Sequence, residues 1–161
     1  MDSPIRQPEQ ILAYRPLRQV LGPKSWDLRT VGGNDTVLTA LRAMADRNIG
    51  FLVVLEQAAM IGVLSERDCV RRVILAGKSP ENTPVSDAMT RQVITIDLSH
   101  AFGDCLRLMH QHAIRHLPIV SNGKPVAVIS IRDLLAEAVR HHETVINALE
   151  PERMTVFTST A

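Results

Sequence analysis

The chain repeats itself. Setting Met44 against Met109, an offset of 65 (109 − 44), brings Leu41 onto Leu106, Arg42 onto Arg107, Ile49 onto Ile114 and Leu52 onto Leu117 without a gap. The same offset carries Val63 onto Val128, Ser65 onto Ser130, Arg67 onto Arg132 and Asp68 onto Asp133, and upstream Thr30 onto Thr95 and Val31 onto Ile96. A chain built this way folds as two like units, each with an apolar face that its twin can cover.

Each unit reads β-α-β-β-α. A short strand, Leu28–Val31 or Val93–Ile96, precedes a helix over about 35–47 or 100–112. Val37, Leu41 and Met44, matched by Phe102, Leu106 and Met109, fall at i, i+4, i+7 and mark one buried stripe. Two β-rich runs follow, Phe51–Leu55 with Met60–Leu64, then Leu117–Val120 with Pro125–Ile129. Ser121-Asn122-Gly123-Lys124 reads as the hairpin turn of the second pair. A closing helix spans about 66–76 and 131–148. The fold class expected is α/β in the α+β sense, two such units packed with pseudo-two-fold symmetry. The chain divides into an N-terminal extension (1–19, with a helix ending before Pro16), a first repeat (20–75), a Gly/Pro/Ser/Asn linker (76–84), a second repeat (85–142), and a helix end with a polar C-terminal tail (143–161).

Composition narrows the function. At 161 residues, 45% of them hydrophobic and 22% charged, the chain can bury a core without disulfides or a structural metal. A net charge of +1 argues against a dedicated nucleic-acid binder, and no apolar run approaches the roughly 18 residues of a membrane span. Cys69 and Cys105 sit among apolar neighbours and read as small core residues in a reducing cytoplasm, with a redox pair or disulfide as the alternative.

Each copy carries Ser-x-Arg-Asp where a strand hands over to a helix: Ser65-Glu66-Arg67-Asp68 and Ser130-Ile131-Arg132-Asp133. One reading is a helix cap, Ser accepting from a free backbone N–H and Asp favoured in the first turn. The other is a ligand corner. There the Asp carboxylate accepts from ribose hydroxyls, Ser donates to a phosphate or ribose oxygen, and Arg67 and Arg132 pair with phosphate. Arg115-His116, entering the strand Leu117-Pro118-Ile119-Val120, fits an anion site or a solvated strand edge. The first copy has Gly50-Phe51 at those places, so the two corners are chemically unequal: one holds a phosphate clamp, the other a ring that can pack on a base or a nicotinamide.

The residues that carry a resemblance are Met44-Ala45-Asp46-Arg47-Asn48-Ile49-Gly50, Gly62-Val63-Leu64-Ser65-Glu66-Arg67-Asp68, Ile114-Arg115-His116-Leu117-Pro118-Ile119-Val120 and Ile129-Ser130-Ile131-Arg132-Asp133. Both repeats resemble cystathionine-β-synthase-type (CBS) domains in a tandem pair, the Bateman module, over about three-quarters of the chain. The resemblance implies a regulatory protein, frequent assembly into disc-like homodimers, and binding of AMP, ADP, ATP, sometimes NAD or S-adenosylmethionine, in clefts between the copies. It implies Asp68 and Asp133 as ribose ligands, Ser65 and Ser130 near ribose or phosphate, Arg115 and His116 facing phosphate, and backbone near Thr30 and Thr95 reading adenine. Ala127 replaces the usual Gly in the second copy, and Gly50-Phe51 departs from the basic pair in the first. With no catalytic domain alongside, the expected regulated target is another protein.

Two rival classes are weighed against this. An enzyme finds no Gly-rich phosphate loop and no nucleophile elbow. A metal centre would draw on His110, His112 and His116, or His141-His142-Glu143; but His110 and His112 do not share a helix face, His116 falls where the helix gives way to the strand at Leu117, and His141-His142 suit the solvated face of the closing helix, so no metal and no catalytic residue is expected. A ligand-free dimerisation scaffold stays open.

Overall fold

The computed structural model describes residues 14–22 and 26–158, with 149–158 in backbone only. The expected helix ahead of Pro16 falls mostly outside the described residues; Tyr14–Pro16 are not helical. The elements are α1 (Leu17–Val20), β1 (Thr30–Gly32), α2 (Val37–Arg47), β2 (Phe51–Glu56), β3 (Ala59–Ser65), α3 (Glu66–Cys69), α4 (Val85–Ala88), α5 (Phe102–Gln111), β4 (His116–Ser121), β5 (Lys124–Ser130) and α6 (Ile131–Thr158).

In the first half β1 runs parallel to β2, and β2 antiparallel to β3. Helix α2 starts where the Thr36 side chain accepts from the Thr39 N–H at 3.1 Å, and ends at Asn48 in the left-handed region. The second half repeats the hairpin, β4 with β5, across a turn in which Asn122 and Gly123 both have positive φ, 50° and 73°. Its expected opening strand, Val93–Ile96, is not a strand but a single parallel bridge from Ile96 to Ile119. The reason is one substitution between the repeats. Val53 donates its N–H to Arg29 at 3.0 Å; its counterpart is Pro118, which has no N–H to give.

The closing helices differ as well. In the first half a short α-helix passes into a π-helical turn, Val70–Ile74, with the Leu75 N–H reaching back to the Val70 carbonyl at 2.9 Å. In the second half one continuous helix runs to Thr158, through the segment expected to be a polar tail. From Ile131 to Glu150 it contains neither Gly nor Pro, so nothing local stops it over that stretch, and it continues through Pro151.

The packing crosses the sequence boundaries. Val85, Ala88 and Met89 lie in the core of the first half with Val37, Met44, Leu52 and Leu64. Leu17 and Leu21 lie in the core of the second half with Phe102, Leu117, Ile129 and Leu134. The linker is built into the fold too: the Thr83 and Pro80 carbonyls accept the Val37 and Leu38 amides at 2.9 and 3.0 Å, satisfying the first turn of α2.

Strands β3 and β5 touch, and Phe51 stacks on His116 with ring centroids 4.7 Å apart and planes 15° off parallel. These two residues are partners at the offset of 65. Equivalent positions of two copies can meet each other only where the symmetry axis passes, so this stack marks the pseudo-two-fold axis.

Candidate functional site

Each Ser-x-x-Asp corner is a capping box. Asp68 Oδ2 accepts from the Ser65 N–H at 2.9 Å and from Ser65 Oγ at 2.6 Å, while the Asp68 N–H donates to Ser65 Oγ at 3.2 Å. The second corner repeats this at 2.7, 2.7 and 3.3 Å between Ser130 and Asp133. One carboxylate oxygen of each Asp therefore serves the helix start, a contribution of about 1 kcal/mol per cap. Each corner is closed from the other side by the chain entering its hairpin: the Glu66 N–H donates to the Gly50 carbonyl at 3.1 Å, and the Ile131 N–H to the Arg115 carbonyl at 2.8 Å. Phe51 pairs with Ser65 and His116 with Ser130 across the two hairpins. Gly50, Phe51, Ser65 and Asp68 are thus one group, Arg115, His116, Ser130 and Asp133 another, and the Phe51–His116 stack joins them.

That stack bears on two of the expected site residues. His116 covers one face of the Phe51 ring, so only the other face is left to a base. Burial first, then the neighbouring Arg115 charge, pull the His116 pKa below the ordinary value against the opposing pull of Asp133. Arg115 is exposed and makes no ion pair among the described residues, as is true of Arg67 and Arg132. Thr30 opens β1 opposite Val53, and Thr95 stands next to the bridge residue Ile96.

The free oxygens of the two Asp residues differ. Asp68 Oδ1 accepts from Thr90 Oγ1 at 3.3 Å and lies 3.6 Å from the Arg72 guanidinium. Arg72 also donates to the Ala88 carbonyl at 3.0 Å, the Met89 carbonyl and Thr90 Oγ1. Asp133 Oδ1 receives no hydrogen bond among the described residues. The position equivalent to Arg72 is Glu137, buried and held by Arg15 (2.6 Å) and Arg140. Burial pushes the Glu137 carboxyl up, but hydrogen bonds from the two arginines outweigh it and hold it down at about 2. Sequence reasoning missed Arg72, Thr90 and Glu137. The signal was present as a reversed charge at equivalent positions of the repeat.

A cavity of about 380 Å³ lies away from both corners, between Tyr14–Pro16 and residues 98–103 at the start of α5, and none of the sequence-predicted residues lines it. Tyr14 stacks there between Phe102 and His141. No group of three His, Cys, Asp or Glu able to hold a metal occurs among the described residues, and no described helix is long and apolar enough to cross a membrane. Cys69 and Cys105 are buried, free thiols, pushed up to about 11 by desolvation.

The twofold plan agrees with comparison to known proteins. The CBS-domain family profile matches residues 19–75 and 85–140. The chain belongs to the CBS-domain family. It is 33% identical over 121 residues to the mitochondrial CBS domain-containing protein CBSX3 of Arabidopsis thaliana, covering 72% of this chain and 59% of that one. The CBS pair therefore spans about three-fifths of the length of that relative. The CBS domain-containing protein YhcV of Bacillus subtilis is 34% identical over 105 residues, 65% of this chain and 74% of that one. Among solved structures, a protein with CBS domains from Burkholderia ambifaria superposes with TM-score 0.73 at 34% identity, covering 76% and 92% of the two chains. A CBS domain pair solved with 5′-methylthioadenosine and S-adenosylmethionine matches at TM-score 0.66; at 18% identity, over 76% and 94% of the two chains, it shows the fold alone. The chain is thus a tandem CBS pair, a kind of regulatory module that often binds adenosine-containing ligands.

Proposed function

We propose that this CBS pair is a nucleotide sensor, taking AMP, ADP, ATP or NAD at the corners beside the axis and passing the occupied state to another protein. The observation that carries the reading is Asp133 Oδ1, the carboxylate oxygen that the capping box leaves over, with Arg115, which makes no ion pair among the described residues, joined to the same corner through its backbone carbonyl. A ribose hydroxyl and a phosphate are the complementary groups, at about 1.5–3 kcal/mol net per charge-assisted hydrogen bond. Three or four such bonds with a buried purine reach micromolar affinity, about −8 kcal/mol.

A homodimer is part of this proposal. Val70 and Ile74 on the first closing helix and Leu135 and Val139 on the second are exposed large apolar residues, and they are equivalent pairs at the repeat offset. A surface that already carries a two-fold pattern is complementary to a second copy of itself. Ligand binding would draw the two halves together and shift α6, since a ligand moves a conformational equilibrium only through its difference in affinity for the two states. A reducing compartment, the cytoplasm among them, suits the two free thiols.

The test is thermal. At 100 times its dissociation constant a ligand adds about 2.7 kcal/mol of stability. AMP, ADP, ATP or NAD should raise Tm, inosine and cytidine nucleotides should do so far less, and Asp133→Ala should remove the shift while the protein still folds. If none of these nucleotides moves the melting curve, the ligand-free scaffold is the correct reading. Light scattering should give a dimer mass that Val139→Glu reduces.

A further inference from the structure

Given the nucleotide reading, we infer that only one of the two corners is a binding site: the Asp133 corner takes the ligand, and the Asp68 corner is occupied by the protein's own side chains. Four observations converge on this. The first is that the spare oxygen of Asp68 already has a hydroxyl and a guanidinium on it, from Thr90 and Arg72, the kinds of group that a sugar and a cationic partner would offer. Arg72 is not free to swing away, since the Ala88 and Met89 carbonyls and the Thr90 hydroxyl also hold it. At Asp133 the equivalent residue is Glu137, itself committed to Arg15 and Arg140, and Oδ1 is left open.

The second is steric. The backbone of Thr90 is fastened to β3 by two hydrogen bonds with Val63, at 3.0 and 2.8 Å. This close approach works because residue 62 is glycine: a Cβ there would come within 2.7 Å of Met89 Sδ and 2.8 Å of the Thr90 carbonyl oxygen. In the second half that Cβ exists, on the buried Ala127, so no segment can lie equally close on β5.

The third is charge. The Glu66 carboxylate lies over Gly50, where a Cβ would come within 2.9 Å of Oε2. The first corner thus has a second carboxylate and no counterpart of Arg115. In the second corner the same two positions are Ile131 and Arg115. Relative to one another, the first corner sets an extra negative charge against a phosphate where the second sets an extra positive one. The fourth is the helix behind each corner: α3 has four residues and breaks into a π turn, whereas α6 has 28 and presents a full helix start.

Isothermal titration of the full chain with AMP, and separately with adenosine, tests this. The expected result is one AMP per chain, lost with Asp133→Ala and retained within about twofold with Asp68→Ala. Arg115→Ala should weaken AMP about tenfold or more while leaving adenosine nearly unchanged. Two AMP per chain, or loss of binding through Asp68→Ala, overturns the single-site inference and leaves the nucleotide reading intact. Equal weakening of AMP and adenosine by Arg115→Ala overturns the phosphate assignment. Absence of heat with AMP and adenosine, together with no Tm shift from ADP, ATP or NAD, overturns the nucleotide reading itself, and the single-site inference falls with it.

Discussion

The two halves share a plan and differ in how they finish it. In the first, the sheet has three strands, the closing helix is short and relaxes into a π turn, and the acidic corner is tied off by Arg72 and Thr90. In the second, Pro118 reduces the sheet to two strands, the closing helix runs for 28 residues, and the equivalent acid has an oxygen to spare. A duplicated fold keeps its core easily, because the cores are set by apolar volume alone. It diverges at polar positions, where one substitution such as Arg72 against Glu137 decides whether the neighbouring acid is tied off or keeps an oxygen to spare.

The sharpest way to separate what the halves share from what they do not is to truncate equivalent core residues. Leu52→Ala and Leu117→Ala remove fully buried side chains at matched positions, and each should cost about 2–5 kcal/mol in chemical denaturation. A cost in one half only would mean that the cores are not alike.

Glu137 comes next, because the first half has nothing like it. Glu137→Gln should lower stability by about 1–3 kcal/mol at pH 7 through loss of its charge-assisted bonds to Arg15 and Arg140. The folded carboxyl titrates near 2, below its unfolded value, so its stabilising effect is present above about pH 4.5 and is lost as pH falls toward 2. Denaturation curves of the two proteins should therefore converge in acid. A gap that persists unchanged at pH 2.5 would assign the effect to packing instead of charge.

The caps should behave alike. Ser65→Ala and Ser130→Ala each lose one helix-start acceptor, at about 1 kcal/mol by thermal denaturation. A much smaller loss at Ser65 would show that Arg72 and Thr90 hold that corner without its cap.

The smallest specific coupling lies at the axis. Phe51→Ala should cost about 0.5–1.5 kcal/mol beyond the lost burial, since it unstacks His116. The folded pKa of His116 lies below its unfolded value, so the native state resists protonating it and stability declines as pH falls through about 6.5. His116→Phe should flatten that decline in denaturation curves between pH 7 and 5.5; an unchanged slope would place the titrating group elsewhere.

The repeat offset revealed the duplicated plan, the buried stripes of α2 and α5, the Asn122-Gly123 turn and both Ser-x-x-Asp corners, because each is a local pattern of side-chain period or backbone preference. Three features were not legible. The missing strand at Val93–Ile96 depends on an amide that Pro118 lacks in a different strand. The lock on Asp68 depends on Thr90, 22 residues away and brought alongside only when the chain returns across β3. The meeting of Phe51 with His116 needs the relative placement of two units, which no single segment encodes. The extension of α6 past Asn147 was not readable either, because Pro151 is a helix breaker and the Thr- and Ser-rich composition argued the same way.

The placement of α1 against the later core, and of α4 against the earlier one, has a consequence for the molecule as a whole. Each half borrows a wall from a stretch of chain that precedes the other half's strands, so neither can be excised at the sequence seam and remain intact. The twins are sewn together, and heat should undo them in one cooperative transition, never as two successive melts.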